Sequence, residues 1–226
     1  NGIALGPDGK TLYTAGSDIR SYDLETGKFK TITKDAAAND IVVSHQGSVY
    51  YSSPKNSHIR HLDPGGRTIK VNDRDYQIEP SNTTYPFKGL NGIGLSADQT
   101  QLLVCQFDGP FIHSYILSGD IPLHPQPYFY AQRPTTDGRC ALDGQFAAAS
   151  GHLLVGTEAG LQIFDQPGRV QLVLPKPAYE DGRVNYCYLH QNTLYIATRH
   201  RIYKRKIKLT GAPAWQAPVK VPKPRL

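Results

Sequence analysis

Methionine is absent from the 226 residues, and the first residue is Asn1. The chain is therefore expected to be part of a longer translation product. Cysteine is scarce: Cys105, Cys140 and Cys187 form no CxxC pair. That excludes a disulfide framework and a cysteine zinc motif, and leaves small buried thiols as the expectation. No apolar run approaches the ~20 residues needed to cross a bilayer, and no signal peptide is visible. No i, i+3, i+4, i+7 stripe marks an amphipathic helix. Charged residues make up only 19%. Acids are missing from residues 199–226, which hold nine of the 25 Lys and Arg. The net charge of +6 is thus a C-terminal property, carried by RHRIYKRKIKL and the tail VKVPKPRL. Lys-rich sequence on an outer edge strand, which blocks edge-to-edge pairing, accounts for it better than a nucleic-acid surface.

What is plentiful is Gly (21), Pro (17) and Tyr (14), a turn-rich and aromatic balance that suits an all-β chain. Short alternating apolar runs (TLYTAG, SVYYSS, LLVCQF, LLVGTE, TLYIAT) each follow a turn signal. The runs belong to a repeat. NGIALGPDGKTLYTA starts at Asn1, NDIVVSHQGSVYYSS at Asn39, NGIGLSADQTQLLVC at Asn91, DGQFAAASGHLLVGT at Asp143 and NYCYLHQNTLYIAT at Asn185. From each head, the second strand begins 9 to 11 residues on. The heads are 38, 52, 52 and 42 residues apart. A further ending, as in SYDLETG and IFDQPG, recurs within the units. Asp137 of TTDGRC also precedes Gly but is out of step with the other units, so it is read as a loop residue.

A period near 45 with about four strands per unit predicts β-propeller blades. The inner strand of a blade runs beside the central channel. The five heads should therefore converge at one channel mouth. Carboxamide oxygens and a carboxylate gathered there suit a hard divalent cation. The plainer reading is that Asn-Gly and Asp-Gly are turn dipeptides, since both residues tolerate positive φ. No GxSxG elbow is present, the histidines have no metal-motif spacing, and GPDGK joins two strands rather than cradling a phosphate.

These blades, taken in order, resemble the gluconolactonase family, which includes senescence marker protein (regucalcin)-like lactonases. The resemblance covers nearly the whole chain up to Gly211. It implies an all-β, six-bladed propeller of which this chain supplies about five blades, the first being missing upstream of Asn1. Residues 1–211 would form a single propeller domain, and 212–226 a Pro-rich basic tail. The resemblance also implies a channel cation, Ca²⁺ first and Zn²⁺, Mg²⁺ or Mn²⁺ otherwise, and hydrolysis of sugar lactones or similar esters. By motif it places the metal ligands at Asn39, Asn91 and Asp143, and Asp143 is also the catalytic candidate. Asn1 and Asn185 are the expected substrate contacts. The expected partner is a small-molecule lactone, with neither nucleic acid nor membrane. Alternatives are a phosphotriesterase of the diisopropyl-fluorophosphatase type and a non-catalytic propeller scaffold. Three departures stand out. The family's Glu ligand belongs to a first blade, and Glu25, Glu79, Glu158 and Glu180 head no unit here. Ser53 replaces an Asp before Pro. Ala148 stands where an Asp often follows the fourth head.

Overall fold

The turn chemistry explains why this chain folds into repeated hairpins. Asp8 accepts hydrogen bonds from the Lys10 and Thr11 N–H groups and from the Thr11 hydroxyl, closing GPDGK. The recurring Asp-to-Gly ending, Asp23 to Gly27 and Asp165 to Gly168, is another such turn. Asp23 accepts from the N–H groups of Glu25 and Thr26, and Asp165 from that of Arg169. Gly27 and Gly168 supply the left-handed backbone (φ 68° and 93°) that these turns require.

A computed structural model of the protein describes residues 1–56, 58–64, 68–70, 89–134, 139–178 and 181–224. Asp137, Glu79 and Glu180 lie outside the described residues. The described residues form five antiparallel sheets. The first holds β1 (Ile3–Leu5), β2 (Thr11–Thr14), β3 (Ile19–Asp23) and β4 (Phe29–Thr33). The second holds β5 (Ile41–Val43), β6 (Val49–Ser53), β7 (His58–Leu62) and β8 (Thr68–Lys70). The third holds β9 (Leu90–Leu95), β10 (Gln101–Gln106), β11 (Phe111–Ser118) and β12 (Ile121–Tyr130). The fourth holds β13 (Gln145–Ala147), β14 (Leu153–Thr157), β15 (Gly160–Phe164) and β16 (Val170–Leu174). The fifth holds β17 (Val184–His190), β18 (Thr193–Thr198) and β19 (Ile202–Lys206). Among the described residues the only helix is the single turn Pro54–Asn56, and no helix is long and apolar enough to cross a membrane. The expected five units are thus present, each starting at its Asn or Asp head. The Lys-rich segment lies on β19, an edge strand, also as expected.

Sheets pack face to face through apolar slabs. Ile41, Val43 and Tyr51 meet Ala15 and Ile19 between the first two sheets. Tyr50 and Ile59 meet Ile93, Leu102 and Val104 between the second and third. Leu103, Ile112 and Phe129 meet Leu153, Val155 and Phe164 between the third and fourth. Leu154 and Leu161 meet Val184, Leu189 and Leu194 between the fourth and fifth. Each fully buried aliphatic side chain here contributes roughly 1.5–3 kcal/mol. The inner strands β1, β5, β9, β13 and β17 follow one another around a channel. Among the described residues β17 does not pack on β1 as the other neighbours pack on each other. Their inner walls enclose an apolar cavity of about 490 Å³.

The C-terminal tail seals the lower end of that cavity. Gly211 N–H donates to Gln191 O, Ala212 N–H to Ala147 O, and Val219 N–H to Ala97 O. Ala212, Pro213, Ala214 and Trp215 line the cavity floor, and the Trp215 ring reaches toward Gly9 of the first sheet.

Candidate metal centre

The upper end of the channel is built from the five heads. Asn1 and Asn39 stand just before β1 and β5, Asn91 is the second residue of β9, Asp143 stands just before β13, and Asn185 is the second residue of β17. Hydrogen bonds tie each unit to the next at this end. Gly2 N–H donates to Asn39 O (2.7 Å), Ser52 Oγ donates to Asn91 O, and Gly144 N–H donates to Asn185 O (2.8 Å). The third and fourth heads also come close: a Cβ placed on Gly92 would lie 2.0 Å from Asp143 O. The five heads therefore follow one another along one continuous arc.

The turn explanation for the heads does not hold. Asn39, Asn91, Asp143 and Asn185 all lack a positive φ, and so do the glycines at 2, 92 and 144. Those glycines are needed for room instead. A Cβ on Gly2 would meet Asp40 Oδ1 at 1.9 Å, and one on Gly144 would meet the Tyr186 ring at 1.9 Å. The left-handed residues sit two positions earlier: Ala37 (φ 45°), Gly89 (φ 72°) and Ala141 (φ 48°) precede Asn39, Asn91 and Asp143 respectively. Two of the three are alanines, for which this backbone costs about 1–2 kcal/mol. Ser53 helps hold one of them, its hydroxyl donating to Ala36 O and Ala37 O. The residue two before Asn185 has no such conformation, so the three proposed ligands share a backbone feature that the fifth head lacks.

The electrostatics are those of a desolvated acidic site. Asp143 Oδ2 accepts from Asn185 Nδ2 (3.0 Å) and from Arg183 Nε (3.2 Å). Burial raises the Asp143 pKa, against the lowering effect of those two donors. Asn91 is buried, and its Oδ1 has no hydrogen-bond partner among the described residues. Asp40 is a residue that sequence reasoning missed. Its carboxylate accepts from the N–H groups of Ile41 (2.9 Å) and Ile93 (3.0 Å), stitching the second sheet to the third. Burial pushes its pKa up to about 7, with the Asp143 charge adding to the rise. The signal was its position: Asp40 stands where three other units carry Gly, and it fills the space that Gly2 leaves. Arg183 was missed as well, two residues ahead of Asn185. Ala148 is buried and bridges to Gly211. Among the described residues no cluster of three His, Cys, Asp or Glu could hold a metal. Carboxamides thus make up most of the candidate donor set. An unpartnered buried carboxamide oxygen in the same arc as the Asp40 and Asp143 carboxylates fits a hard divalent cation.

Fold and mouth together define a β-propeller with an oxygen-donor arc at one end of its channel. A sequence model described as SMP-30/Gluconolactonase/LRE-like region matches residues 1–200, and the chain belongs to that family. No curated protein gives a significant match. Among solved structures it is similar to a calcium-binding protein, regucalcin, from Agrobacterium tumefaciens (TM-score 0.72, 14% identity, 95% of this chain and 78% of that one). It is also similar to a gluconolactonase from Xanthomonas campestris (0.68, 19%, 93% and 71%). A chain of a nidogen/laminin complex is comparably similar (0.70, 16%, 91% and 74%). At such identities these likenesses establish the fold alone.

Proposed function

We propose that this protein is a metal-dependent lactonase, hydrolysing a sugar lactone or similar cyclic ester at the upper channel mouth. The observation that carries the reading is the buried, unpartnered Oδ1 of Asn91, set in the arc of heads between Asn39 and Asp143. Family membership and the left-handed residues ahead of those three heads, two of them alanines, support it. Asn39, Asn91 and Asp143 would hold the cation, Ca²⁺ first, through two neutral oxygens and one carboxylate. When bound, the cation polarises the lactone carbonyl and stabilises the developing oxyanion. Asp143 orients the attacking water and takes its proton on the carboxylate. Asn185 and Arg183 fix the Asp143 rotamer through Oδ2. Asn185 and Asn1 flank the arc and contact the substrate. The reading includes a sixth blade between the fifth sheet and the first, which supplies a Glu. Its support is the half-exposed inner strand of the first sheet, where Ile3 is 60% exposed.

One observation favours the scaffold reading instead: Asp143 Oδ2 is already engaged by Arg183 and Asn185. Gluconolactone hydrolysis with and without chelator, alongside Asp143→Ala, separates the two. Loss of activity in both treatments is expected, and activity that survives both rejects the mechanism. A parallel fluorophosphate assay tests the phosphotriesterase alternative.

A further inference from the structure

Arg183 is held in an unusual way for a residue at the rim of a mouth. Its Nε donates to Asp143 Oδ2, and its guanidinium carbon lies 4.8 Å from the centroid of the Phe107 ring. Phe107 belongs to the turn between β10 and β11, so the third sheet supplies the platform and the fifth sheet the cation. Arg139 lies over the same ring at 5.5 Å and pairs with Asp108 at 3.3 Å. One half-buried aromatic ring is thus flanked by two guanidinium groups beside the Asp143 carboxylate. Among the described residues nothing accepts a hydrogen bond from the two Nη groups of Arg183, whose side chain is 37% exposed.

A guanidinium that is stacked on a ring and pinned at Nε has little freedom left to lose. Its remaining N–H groups form a planar fork, whose matching acceptor is a group with two oxygens sharing negative charge. Ordering such a fork in advance is what makes binding through it strong. Neutral sugar hydroxyls gain much less from it. The Asp143 contact, by contrast, uses a single N–H and leaves that fork unused.

We infer that Arg183 determines specificity by taking an acidic substituent, a carboxylate or a phosphate, on a sugar-like substrate at this mouth. The inference rests on the lactonase reading for the identity of the site, and it assigns the substrate class as an acidic lactone rather than a neutral one. Arg139, over the same ring, is already paired with Asp108, so the fork left open at this rim is that of Arg183.

The test uses ligands that cannot be hydrolysed. D-Glucuronate, D-glucose 6-phosphate and D-glucose are titrated calorimetrically into the protein, with and without Ca²⁺. At least one acidic sugar is expected to bind tenfold or more tightly than glucose, and whichever it is distinguishes carboxylate from phosphate. Arg183→Gln is expected to bring that preference to within twofold of none, and Arg183→Lys to keep part of it. Phe107→Leu, which removes the ring and leaves every charge in place, should lower the preference several-fold. A merely structural role for Arg183 would move melting temperature and leave the acidic-to-neutral ratio unchanged. Equal binding of all three sugars overturns the inference, as does a preference that survives Arg183→Gln. Turnover of gluconolactone and of D-glucuronolactone in the same preparation keeps the two ideas apart. Turnover of either lactone without acidic preference sinks only this inference, while acidic preference with neither lactone turned over sinks the lactonase reading and leaves Arg183 as a contact for acidic ligands.

Discussion

The two ends of the channel are made by the same five inner strands and could hardly differ more. At the upper end the strands begin with Asn and Asp, the buried Asp40 carboxylate feels the charge of the partly buried Asp143, and Arg183 sits on the rim. At the lower end four of those strands finish in Leu5, Val43, Leu95 and Ala147, and the tail lays Ala212–Trp215 across them. The upper end holds polar atoms whose presence works against stability. The lower end holds apolar contacts that favour it. Chemistry and stability are thus separated along one axis, and substitutions at the two ends should have effects of different kinds.

The largest expected effect is on turnover. Asp143→Ala should lower gluconolactone hydrolysis about 10³-fold and leave the melting temperature nearly unchanged, since it removes a desolvated charge. A large loss of stability with turnover retained would reverse the contrast between the ends.

The second is a pH effect on folding. Asp40, with its pKa pushed up to about 7, stabilises the cation-free fold most below its ordinary value near 4, and that stability is lost as pH rises toward 7. His113, buried on β11 and pushed down to about 4, does the opposite. Its contribution is complete above its ordinary value near 6.5 and is lost as pH falls toward 4. The two slopes offset each other between pH 4.5 and 6.5. Asp40→Asn should unmask the His113 slope, about 1.4 kcal/mol per pH unit, in urea denaturation across that range. A variant that tracks the unmodified protein would show that Asp40 is not strained by burial.

Third, Ca²⁺ at a hundred times its Kd should stabilise the protein by about 2.7 kcal/mol, and Asn91→Ala should abolish that gain. In the cation-free state the same variant should cost little, because the deleted oxygen has no partner to lose. Thermal melts with and without Ca²⁺ read both. The smallest effect is expected at the other end. Trp215→Ala should cost about 2 kcal/mol, below the range for fully buried tryptophans because Trp215 is only half-buried. Calcium affinity by calorimetry should stay within twofold.

Much of this arrangement was legible in the repeat. Head-to-strand spacing located all five hairpins, because a propeller blade sets that spacing by the length of its first turn. Convergence of the heads followed from the same periodicity. The glycines after the heads were legible as special but for the wrong physical reason. A turn requirement and a close-approach requirement both select Gly, and only the coordinates of the neighbouring blade tell them apart. Asp40 and Arg183 were not found, since each acts on a residue of another sheet and neither interrupts the strand pattern. The path of the tail was invisible too. Its contacts run through backbone carbonyls and small apolar residues, which leave no periodic mark.

Gln99 gives the lower end a consequence of its own. Held in the left-handed region at φ 54°, its side chain accepts from the His45 N–H through Oε1 and donates through Nε2 to Ala214 O and Gln216 O. One amide therefore clasps the second sheet, the third sheet and the tail at once. Fraying of the last dozen residues would unlock a seam far from the terminus, so the amide of His45 should exchange with solvent in step with those beyond Gly211.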